Sequence, residues 1–533
     1  KQWQGYQDGY SKGRERSFHF GAADHHICGM ISHLGPQLAI ADGVALAHQL
    51  KQEGKVSLAF SGDGGTSEGD FHEALNVASV WNLPVIFVVE NNGYGLSTPV
   101  NEQYRCNSLV DKAVGYGMEG VRIDGNNVLT VLDTLQGVRQ YCIENQRPYL
   151  VECMTFRMRG HEEASGTKYV PKALMEEWGA KDPIKKYEQF LLTEKVLTEM
   201  DIADMRQAFK SQIEAELALA QDHAPLVVDT AAEVHDVYAP YAPQKVEDLA
   251  PAAEGREGRF IDAISEALRQ SLQVHPQLVL MGQDIAEYGG AFKITEGMVE
   301  AFGKHRIRNT PLCESAIVGV CLGLALEGHK SVMEMQFADF VTVGFNQIVN
   351  NLAKIHYRWG QAAQTVVRMP TGGGVGAGPF HSQSNEAWFT HVPGLKVVYP
   401  ATPADAKGLL IAAINDPNPV LFFEHKALYR SITGPLPETY YELPIGKAHL
   451  AKQGADLTII TYGAGLHWAL EYQALPESPD LHILDLRSLQ PLDHAAIAAA
   501  VAHTGKVLVL HEDNLTGGIG GEISAWISEH CFE

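Results

Sequence analysis

Two short apolar runs near the start of the chain, joined by one helical segment, constrain the fold more than any other feature. The first run, 56–60, leads to Gly-Asp-Gly-Gly, and the second, 85–89, leads to Glu-Asn-Asn-Gly-Tyr. Such runs, bounded by glycine, proline and asparagine, are typical of buried parallel strands. The helical pattern over 68–81 is long enough for a crossover. We therefore predict an α/β fold with a doubly wound parallel sheet, in which Asp63 and Asn92 stand at one ligand-binding edge.

The residues at that edge suit a magnesium ion and a diphosphate. Asp63 offers a carboxylate, Asn92 an amide oxygen, and Tyr94 a backbone carbonyl. Oxygen ligands suit magnesium, which usually also binds phosphate oxygens. An ordinary strand–turn–helix explains the neighbouring glycines about as often as a phosphate-binding turn does, but it does not explain the paired aspartate and asparagine. The glycines that would let backbone N–H groups approach a diphosphate are Gly62, Gly64 and Gly65.

Composition and charge exclude some classes of protein. A length of 533 residues predicts several domains. The formal net charge of -23 is spread along the chain, which argues against nucleic-acid binding. The sequence has no apolar run of about 18 residues, so no membrane span is expected. Seven cysteines without Cys-x-x-Cys predict reduced thiols in the cytoplasm.

The chain starts without Met and stops within a helical pattern, so we expect both ends to be cuts in a longer polypeptide.

Combined, the Gly-Asp-Gly turn and the Asn-Asn pair resemble the thiamine-diphosphate and magnesium motif. The stretches 62–70 and 90–99 resemble the alpha subunit of the decarboxylating component of 2-oxo acid dehydrogenase complexes, nearest the branched-chain (2-oxoisovalerate) type. The sequence from Asn309 onward resembles the beta subunit, so we expect both subunits fused in one chain. The resemblance implies a thiamine-diphosphate-binding fold, with two doubly wound parallel-sheet domains and a transketolase C-terminal-like α/β domain.

A stretch rich in alanine, proline and acidic residues divides the chain after about residue 222. A linker of about thirty residues is unusual inside a compact domain, so the best boundary lies there. Together with the resemblance, this predicts an alpha-type diphosphate- and magnesium-binding domain (1–222), a linker (223–254), a beta-type pyrimidine-binding domain (255–435) and an incomplete transketolase C-terminal-like domain (436–533). We expect the last of these to serve assembly and not chemistry.

In the alpha-type part, the resemblance assigns three further residues. Ser32 and Leu34 match positions that contact the cofactor. His161, in an Arg-x-x-Gly-His loop, matches a histidine near the thiazolium ring and the substrate carboxylate. Without the family context, a hydrogen-bonded loop histidine would be the better interpretation of His161.

In the beta-type part, Glu314 matches the glutamate that hydrogen-bonds N1′ of the aminopyrimidine. Gln336 and Phe340 match residues lining the pyrimidine pocket, and a long helix is expected from there through Arg358. His381 follows the glycine-rich loop 371–380 and matches the second active-site histidine, where the lipoyl arm arrives. From sequence alone, a first-turn acid favoured by the helix dipole explains Glu314, and core packing explains Phe340 equally well.

A turn at 413–418 resembles a structural potassium-binding turn of the family. Asp416 and Asn418 are the candidate oxygen ligands. An ordinary Asp-Pro turn explains the same residues equally well.

The implied activity is that of a 3-methyl-2-oxobutanoate dehydrogenase, which decarboxylates a branched-chain 2-oxo acid and transfers the acyl group to a lipoyl group. The implied partners are a dihydrolipoyl acyltransferase and a dihydrolipoyl dehydrogenase of a multienzyme complex. The family places each cofactor between two such halves, so at least a homodimer of the fused chain is expected. The other interpretations are a pyruvate or acetoin dehydrogenase, a transketolase-type transferase and a non-catalytic subunit.

Overall fold

The computed structural model describes residues 1–221, 227–241 and 256–532, which divide into two compact units, 1–230 and 231–533. Much of the predicted linker, 223–254, lies outside the described residues. The predicted α/β class with parallel sheets is confirmed. Among the helices of the described ranges, none combines the length and the apolar character needed to cross a membrane.

A four-stranded parallel sheet forms the centre of the first unit. Its elements are α1 (Pro36–Leu50), β1 (Ser57–Gly62), α2 (Gly69–Trp81), β2 (Val85–Asn91), β3 (Tyr94–Gly95), β4 (Thr98–Pro99), α3 (Asp111–Gly115), β5 (Glu119–Asp124), α4 (Val128–Asn145), β6 (Tyr149–Met154), α5 (Lys172–Gly179), α6 (Pro183–Thr193) and α7 (Glu199–Gln221). The strand order is β1-β2-β6-β5, and β3 with β4 forms a small hairpin. A short helix, α8 (Thr230–His235), follows.

Strands β1 and β2 are parallel neighbours, as the two apolar runs predict. Gly62 pairs with Glu90 in the last rung of their ladder. The five residues at the start of β2 are all buried, because both faces of this strand are covered. Asp63 and Asn92 therefore leave the sheet at the same edge, which confirms the predicted geometry of this stretch.

The second unit contains a seven-stranded sheet and a separate four-stranded sheet. Its elements are β7 (Arg256–Arg259), α9 (Phe260–Val274), β8 (Leu278–Gly282), α10 (Met298–Phe302), β9 (Ile307–Asn309), α11 (Glu314–Leu326), β10 (Lys330–Glu334), α12 (Ile355–Trp359), β11 (Thr365–Thr371), α13 (Ala387–Thr390), β12 (Lys396–Val398), α14 (Pro403–Asn415), β13 (Val420–His425), α15 (Leu428–Ser431), β14 (Thr433–Leu436), β15 (His449–Lys452), β16 (Leu457–Thr461), α16 (Ala464–Gln473), β17 (Leu481–Asp485), β18 (Ser488–Gln490), α17 (His494–Thr504), β19 (Val507–Leu510) and α18 (Ile519–His530).

The larger sheet has the order β18-β12-β13-β11-β10-β8-β9 and is parallel except for β18. Helices α9 and α14 pack on it, and the apolar face of α9 is buried at Phe260, Ile264 and Leu268. The smaller sheet, β15-β17-β16-β19, belongs to the C-terminal region, residues 446–532. Its three parallel strands are β16, β17 and β19.

The segment between β10 and β11 differs from the predicted long helix through Arg358. It forms a 3-10 helix at Ala338–Thr342, a π-helix at Gln347–Asn351 and the short helix α12. Polar bonds to the following loop hold its start: Asp339 accepts a bond from the Gln383 N–H at 3.2 Å. The prediction of a helix through Arg358 is confirmed in extent from about residue 345, but the helix is not regular, since it changes from π to 3-10 to α-helical turns.

A buried carboxyl group connects the C-terminal region to the larger sheet's domain. Tyr462 donates its hydroxyl hydrogen to Oε1 of Glu386 at 2.8 Å, and within the described ranges Oε2 has no partner. Burial, with a smaller contribution from Asp513, raises the pKa of Glu386 to about 8. The folded protein therefore holds this carboxyl protonated at neutral pH.

Glu386→Gln is expected to flatten the dependence of stability on pH. Because the folded state keeps a proton that the unfolded state releases above the ordinary pKa of 4.5, the free energy of unfolding falls as pH rises toward about 8. Glutamine keeps an acceptor for Tyr462 without the charge. Urea unfolding between about pH 5 and about pH 8.5 measures this; wild type should lose more stability than the variant. Glu471→Gln, at an exposed position, is the control. If the free energy of unfolding changed equally with pH in wild type and in Glu386→Gln, the prediction would be contradicted.

Candidate functional site

Asp63, at the carboxyl edge of β1, is almost completely buried, with 1% of its surface exposed. Its Oδ1 accepts a bond from the Asn92 N–H at 3.4 Å, and its Oδ2 has no hydrogen-bond partner among the described residues. Burial raises the pKa of Asp63, opposed by the bond from Asn92. A buried carboxylate oxygen without a partner is costly unless a cation or a donor binds it. The donor chemistry at this position therefore fits a metal ion.

Asn92 and Tyr94 form the turn that faces Asp63. The Tyr94 N–H donates to Oδ1 of Asn92 at 3.1 Å, which fixes the amide, and Gly93 has a φ of 83° that this turn requires. Within the described ranges, no three His, Cys, Asp or Glu side chains cluster as metal ligands. A cation at Asp63 would therefore depend on amide, carbonyl and phosphate oxygens for its other ligands, as magnesium does.

The glycine turn after β1 contributes space and close packing. A Cβ at Gly64 would lie 2.9 Å from the Cα of Gly95, and one at Gly65 would lie 2.5 Å from Oγ of Ser61. At Gly62, by contrast, no described atom lies within 4 Å of such a Cβ. The turn therefore packs tightly at two positions and stays open at Gly62, which suits the approach of a ligand.

Leu34, Ser32 and His161 lie in loops of the same unit. Leu34 is 44% exposed, and its Cβ would lie 3.7 Å from a Cβ at Gly65, so the structure places it beside the glycine turn. Ser32 is exposed, with its Oγ 3.4 Å from Nε2 of His19. His161 is exposed in the loop after β6. Arg157 fixes the start of that loop by donating to the Leu96 carbonyl and to the Tyr169 hydroxyl.

In the second unit, Glu314 is the half-buried first residue of α11. Gln283 donates from Nε2 to Oε1 of Glu314 at 3.0 Å. The two residues follow β9 and β8, which are parallel neighbours paired at Gly282 and Asn309. Sequence reasoning missed Gln283. The signal was present, because Gln283 is the first residue after β8, as Asp63 is the first residue after β1.

Gln336 lies at the same sheet edge, just after β10, and donates to Oδ2 of Asp284 at 3.4 Å. Phe340 contacts the His381 ring edge-on, with ring centroids 5.6 Å apart. Phe337, which sequence reasoning missed, contacts the same ring at 4.7 Å. The structure therefore holds His381 against two aromatic side chains, and it gathers Gln336, Gln283 and Glu314 at the carboxyl ends of adjacent strands.

The candidate potassium ligands are occupied by protein groups. Asp416 forms an ion pair with Lys396, and its Oδ1 accepts bonds from the N–H and the amide of Asn418. The side-chain oxygen of Asn418 accepts a bond from the Ala239 N–H at 2.7 Å. A cation of the protein, the Lys396 ammonium, therefore already neutralises this turn.

Comparison with known families matches three successive parts of the chain. Residues 1–228 match the family "Dehydrogenase E1 component", residues 258–431 match "Transketolase, pyrimidine binding domain", and residues 446–533 match "Transketolase, C-terminal domain". These matches define a thiamine-diphosphate-dependent enzyme class, in agreement with the site geometry.

Individual relatives narrow this class. The chain is 48% identical over 279 residues to 2-oxoisovalerate dehydrogenase subunit beta of Bacillus subtilis, covering 51% of this chain and 85% of that protein. It is 43% identical to subunit beta 2 of the mitochondrial enzyme of Arabidopsis thaliana, covering 52% and 79%. It is 40% identical to pyruvate dehydrogenase E1 component subunit beta of Staphylococcus aureus, covering 51% and 85%. The chain belongs to the 2-oxo acid dehydrogenase E1 family and joins alpha-type and beta-type parts in one polypeptide.

Proposed function

We propose that this chain decarboxylates 2-oxoisovalerate (3-methyl-2-oxobutanoate) or a similar branched-chain 2-oxo acid, and transfers the acyl group to the lipoyl group of a dihydrolipoyl acyltransferase. The observation that carries the catalytic proposal is the buried Asp63 carboxylate, whose Oδ2 lacks a partner among the described residues beside an open glycine turn. The branched-chain substrate is supported by relatives named 2-oxoisovalerate dehydrogenase subunit beta.

In the first unit, Asp63, Asn92 and the carbonyl of Tyr94 would bind magnesium. When bound, thiamine diphosphate supplies the ring system that accepts the electron pair left as carbon dioxide departs. The protein's part is to bind and orient it and to hold the metal. The residues that would contact the cofactor here are Ser32, Leu34, Gly62, Gly64 and Gly65.

In the second unit, Glu314 would share a proton with N1′ of the aminopyrimidine, and Gln283 would orient the Glu314 carboxyl through the bond described above. Gln336 and Phe340 would line the pyrimidine pocket. We assign His161 and His381 to orienting the substrate carboxylate, moving protons and stabilising charge near the lipoyl sulfur. The exposure of His161 and the edge-on packing of His381 are compatible with these roles.

Asp63→Ala is expected to weaken magnesium-dependent binding of thiamine diphosphate by about 100-fold or more, because the loss of residues that only support a metal ligand already costs about 10–100-fold. Titration calorimetry with and without magnesium measures this. Asp133→Asn, at an exposed position on α4, serves as the matched control. Unchanged affinity in Asp63→Ala would show that the glycine turn is only scaffold.

Substrate preference is tested by rates with 2-oxoisovalerate, pyruvate and 2-oxoglutarate, with a lipoyl domain as acceptor. We expect the highest kcat/KM with 2-oxoisovalerate, and a preference over pyruvate of at least about 10–200-fold, the discrimination typical of one methylene, since the two substrates differ by two carbons. A preference for pyruvate would support the second candidate, which the relative from Staphylococcus aureus favours. Transfer to sugar acceptors instead would indicate a transketolase-type enzyme, and failure to bind thiamine diphosphate would indicate a non-catalytic subunit.

Further parts of the proposal rest on the family resemblance, on the composition of the linker and on the cysteine content. They are a complex with the acyltransferase and dihydrolipoyl dehydrogenase, a homodimer of the fused chain, the division at 222, 254 and 435, and a cytoplasmic location. Light scattering of the purified chain measures the dimer directly. A monomeric mass at micromolar concentration would contradict that part.

A further inference from the structure

The glycine-rich loop that leads to His381 has little stiffness of its own. Four of its glycines have positive φ angles, and such residues are the most costly to order on folding. They are Gly372 (80°), Gly374 (89°), Gly376 (70°) and Gly378 (79°). A loop of this composition holds one conformation only if contacts from outside fix it.

Some of the contacts that hold the loop come from its own domain. The N–H of Gly372 and the hydroxyl of Thr371 both donate to the Gln383 carbonyl, at 3.1 and 2.9 Å, which closes the loop at its base. Lys426 donates from Nζ to the Gly372 carbonyl at 2.7 Å. The two ends of the loop are therefore joined, and one end is held by a buried lysine.

The other contact comes from the C-terminal region. Glu512, two residues after β19, accepts a bond from the Gly373 N–H through Oε1 at 2.6 Å, and its Oε2 is bonded to Nε2 of His425. His425 is buried directly beneath the loop, since a Cβ at Gly372 would lie 2.3 Å from its Nε2. One carboxylate thus ties the loop and β13 to the C-terminal region.

The chemistry of this junction requires a carboxylate. Two donors, the Gly373 N–H and the ring N–H of His425, converge on Glu512, and an ionised carboxylate only accepts hydrogen bonds. Burial acts to raise the pKa of Glu512, but the bonds from His425 and Gly373 outweigh it and lower the pKa. A glutamine has one accepting oxygen, and its amide would face the second donor.

We infer that Glu512 is a positioning residue for His381, through which the C-terminal region sets the conformation of the glycine-rich loop. The anchored base leads directly to His381, which packs against Phe337 and Phe340. This inference rests on the proposed function for the role of His381, whereas the anchoring itself rests on the contacts alone.

Amide hydrogen exchange in the loop tests the anchoring without any cofactor. In the full chain, Glu512→Ala should speed exchange at the Gly373 amide by about tenfold or more, since a hydrogen bond to a charged group is lost. Glu512→Gln should give an intermediate effect. Glu471 lines one cavity of about 570 Å³ together with Gly373 and Glu512. Glu471→Ala is therefore the matched control and should leave exchange unchanged. Exchange in α9 should be unchanged in all variants, and an unchanged Gly373 amide in Glu512→Ala would overturn the inference.

Kinetics tests whether the anchor positions His381. Glu512→Ala should lower kcat for acyl transfer to a lipoyl domain by about tenfold, with the affinity for thiamine diphosphate unchanged, and Glu512→Gln should restore part of it. Faster exchange with unchanged kcat would overturn the positioning role. A wild-type chain that turns over no 2-oxo acid would refute the proposed function instead, while the exchange result would still decide the anchoring. If Glu512→Ala does not fold, Glu512→Gln carries the same comparison.

Discussion

Glu314→Gln is expected to abolish turnover of 2-oxo acids and to leave the fold intact. Glutamine fills the same space at the first position of α11, and its oxygen still accepts the bond from Gln283. The variant therefore removes the exchangeable proton and little else. General acid–base groups typically contribute about 10²–10⁴-fold to a rate. In the proposed function Glu314 would share the proton on which the cofactor's chemistry depends, so we expect a loss at the upper end.

Release of carbon dioxide from 2-oxoisovalerate measures this effect, with thermal unfolding recorded in parallel. Glu300→Gln, at an exposed position on α10, is the matched control and should keep full activity. Substantial turnover in Glu314→Gln at an unchanged melting temperature would remove Glu314 from the catalytic assignment.

The largest effect on stability is expected at Arg368, which is 1% exposed in the middle of the larger sheet. Its guanidinium donates two bonds to Glu424, at 2.7 and 2.8 Å, and a third to Glu334. Tyr429 adds a hydroxyl bond to Glu424 at 2.7 Å. Arg368→Met would leave two buried carboxylates without their cation, which costs about 3–5 kcal/mol in comparable cases.

Urea unfolding of Arg368→Met measures this cost, and a compensated variant shows its origin. Arg368→Met combined with Glu334→Gln and Glu424→Gln removes the uncompensated charges, and it should regain much of the lost stability. A loss below about 1 kcal/mol in the single variant would mean that water or protonation compensates the carboxylates. A triple variant no more stable than the single one would assign the loss to packing.

Local patterns predicted that Asp63 and Asn92 lie at one edge of the first unit's sheet. Asp63 and Asn92 follow short apolar strands, and the parallel crossover between those strands brings their ends together regardless of the rest of the fold. The same reasoning, applied to the strand that ends at Gly282, would have found Gln283. The assignments of His161 and Phe340, by contrast, came from the family resemblance, since neither side chain has a distinctive local pattern.

Contacts between distant segments were beyond sequence reasoning. Glu512 and Gly373 are separated by 139 positions, so no local pattern indicates their bond. The region that contains Glu512 was expected to serve assembly only, yet it contacts the glycine-rich loop that leads to His381. Local helical preference likewise indicated the helix through Arg358, but not its π and 3-10 turns.

Having the alpha-type and beta-type parts in one polypeptide has a consequence for how the enzyme is made. Translation produces the two parts in equal numbers, so neither can accumulate as an orphan that exposes its unpaired surfaces. Dilution also cannot change the one-to-one ratio of the two parts, because both belong to the same polypeptide. Expression level therefore changes only how many complete pairs exist, and never the ratio of their two halves.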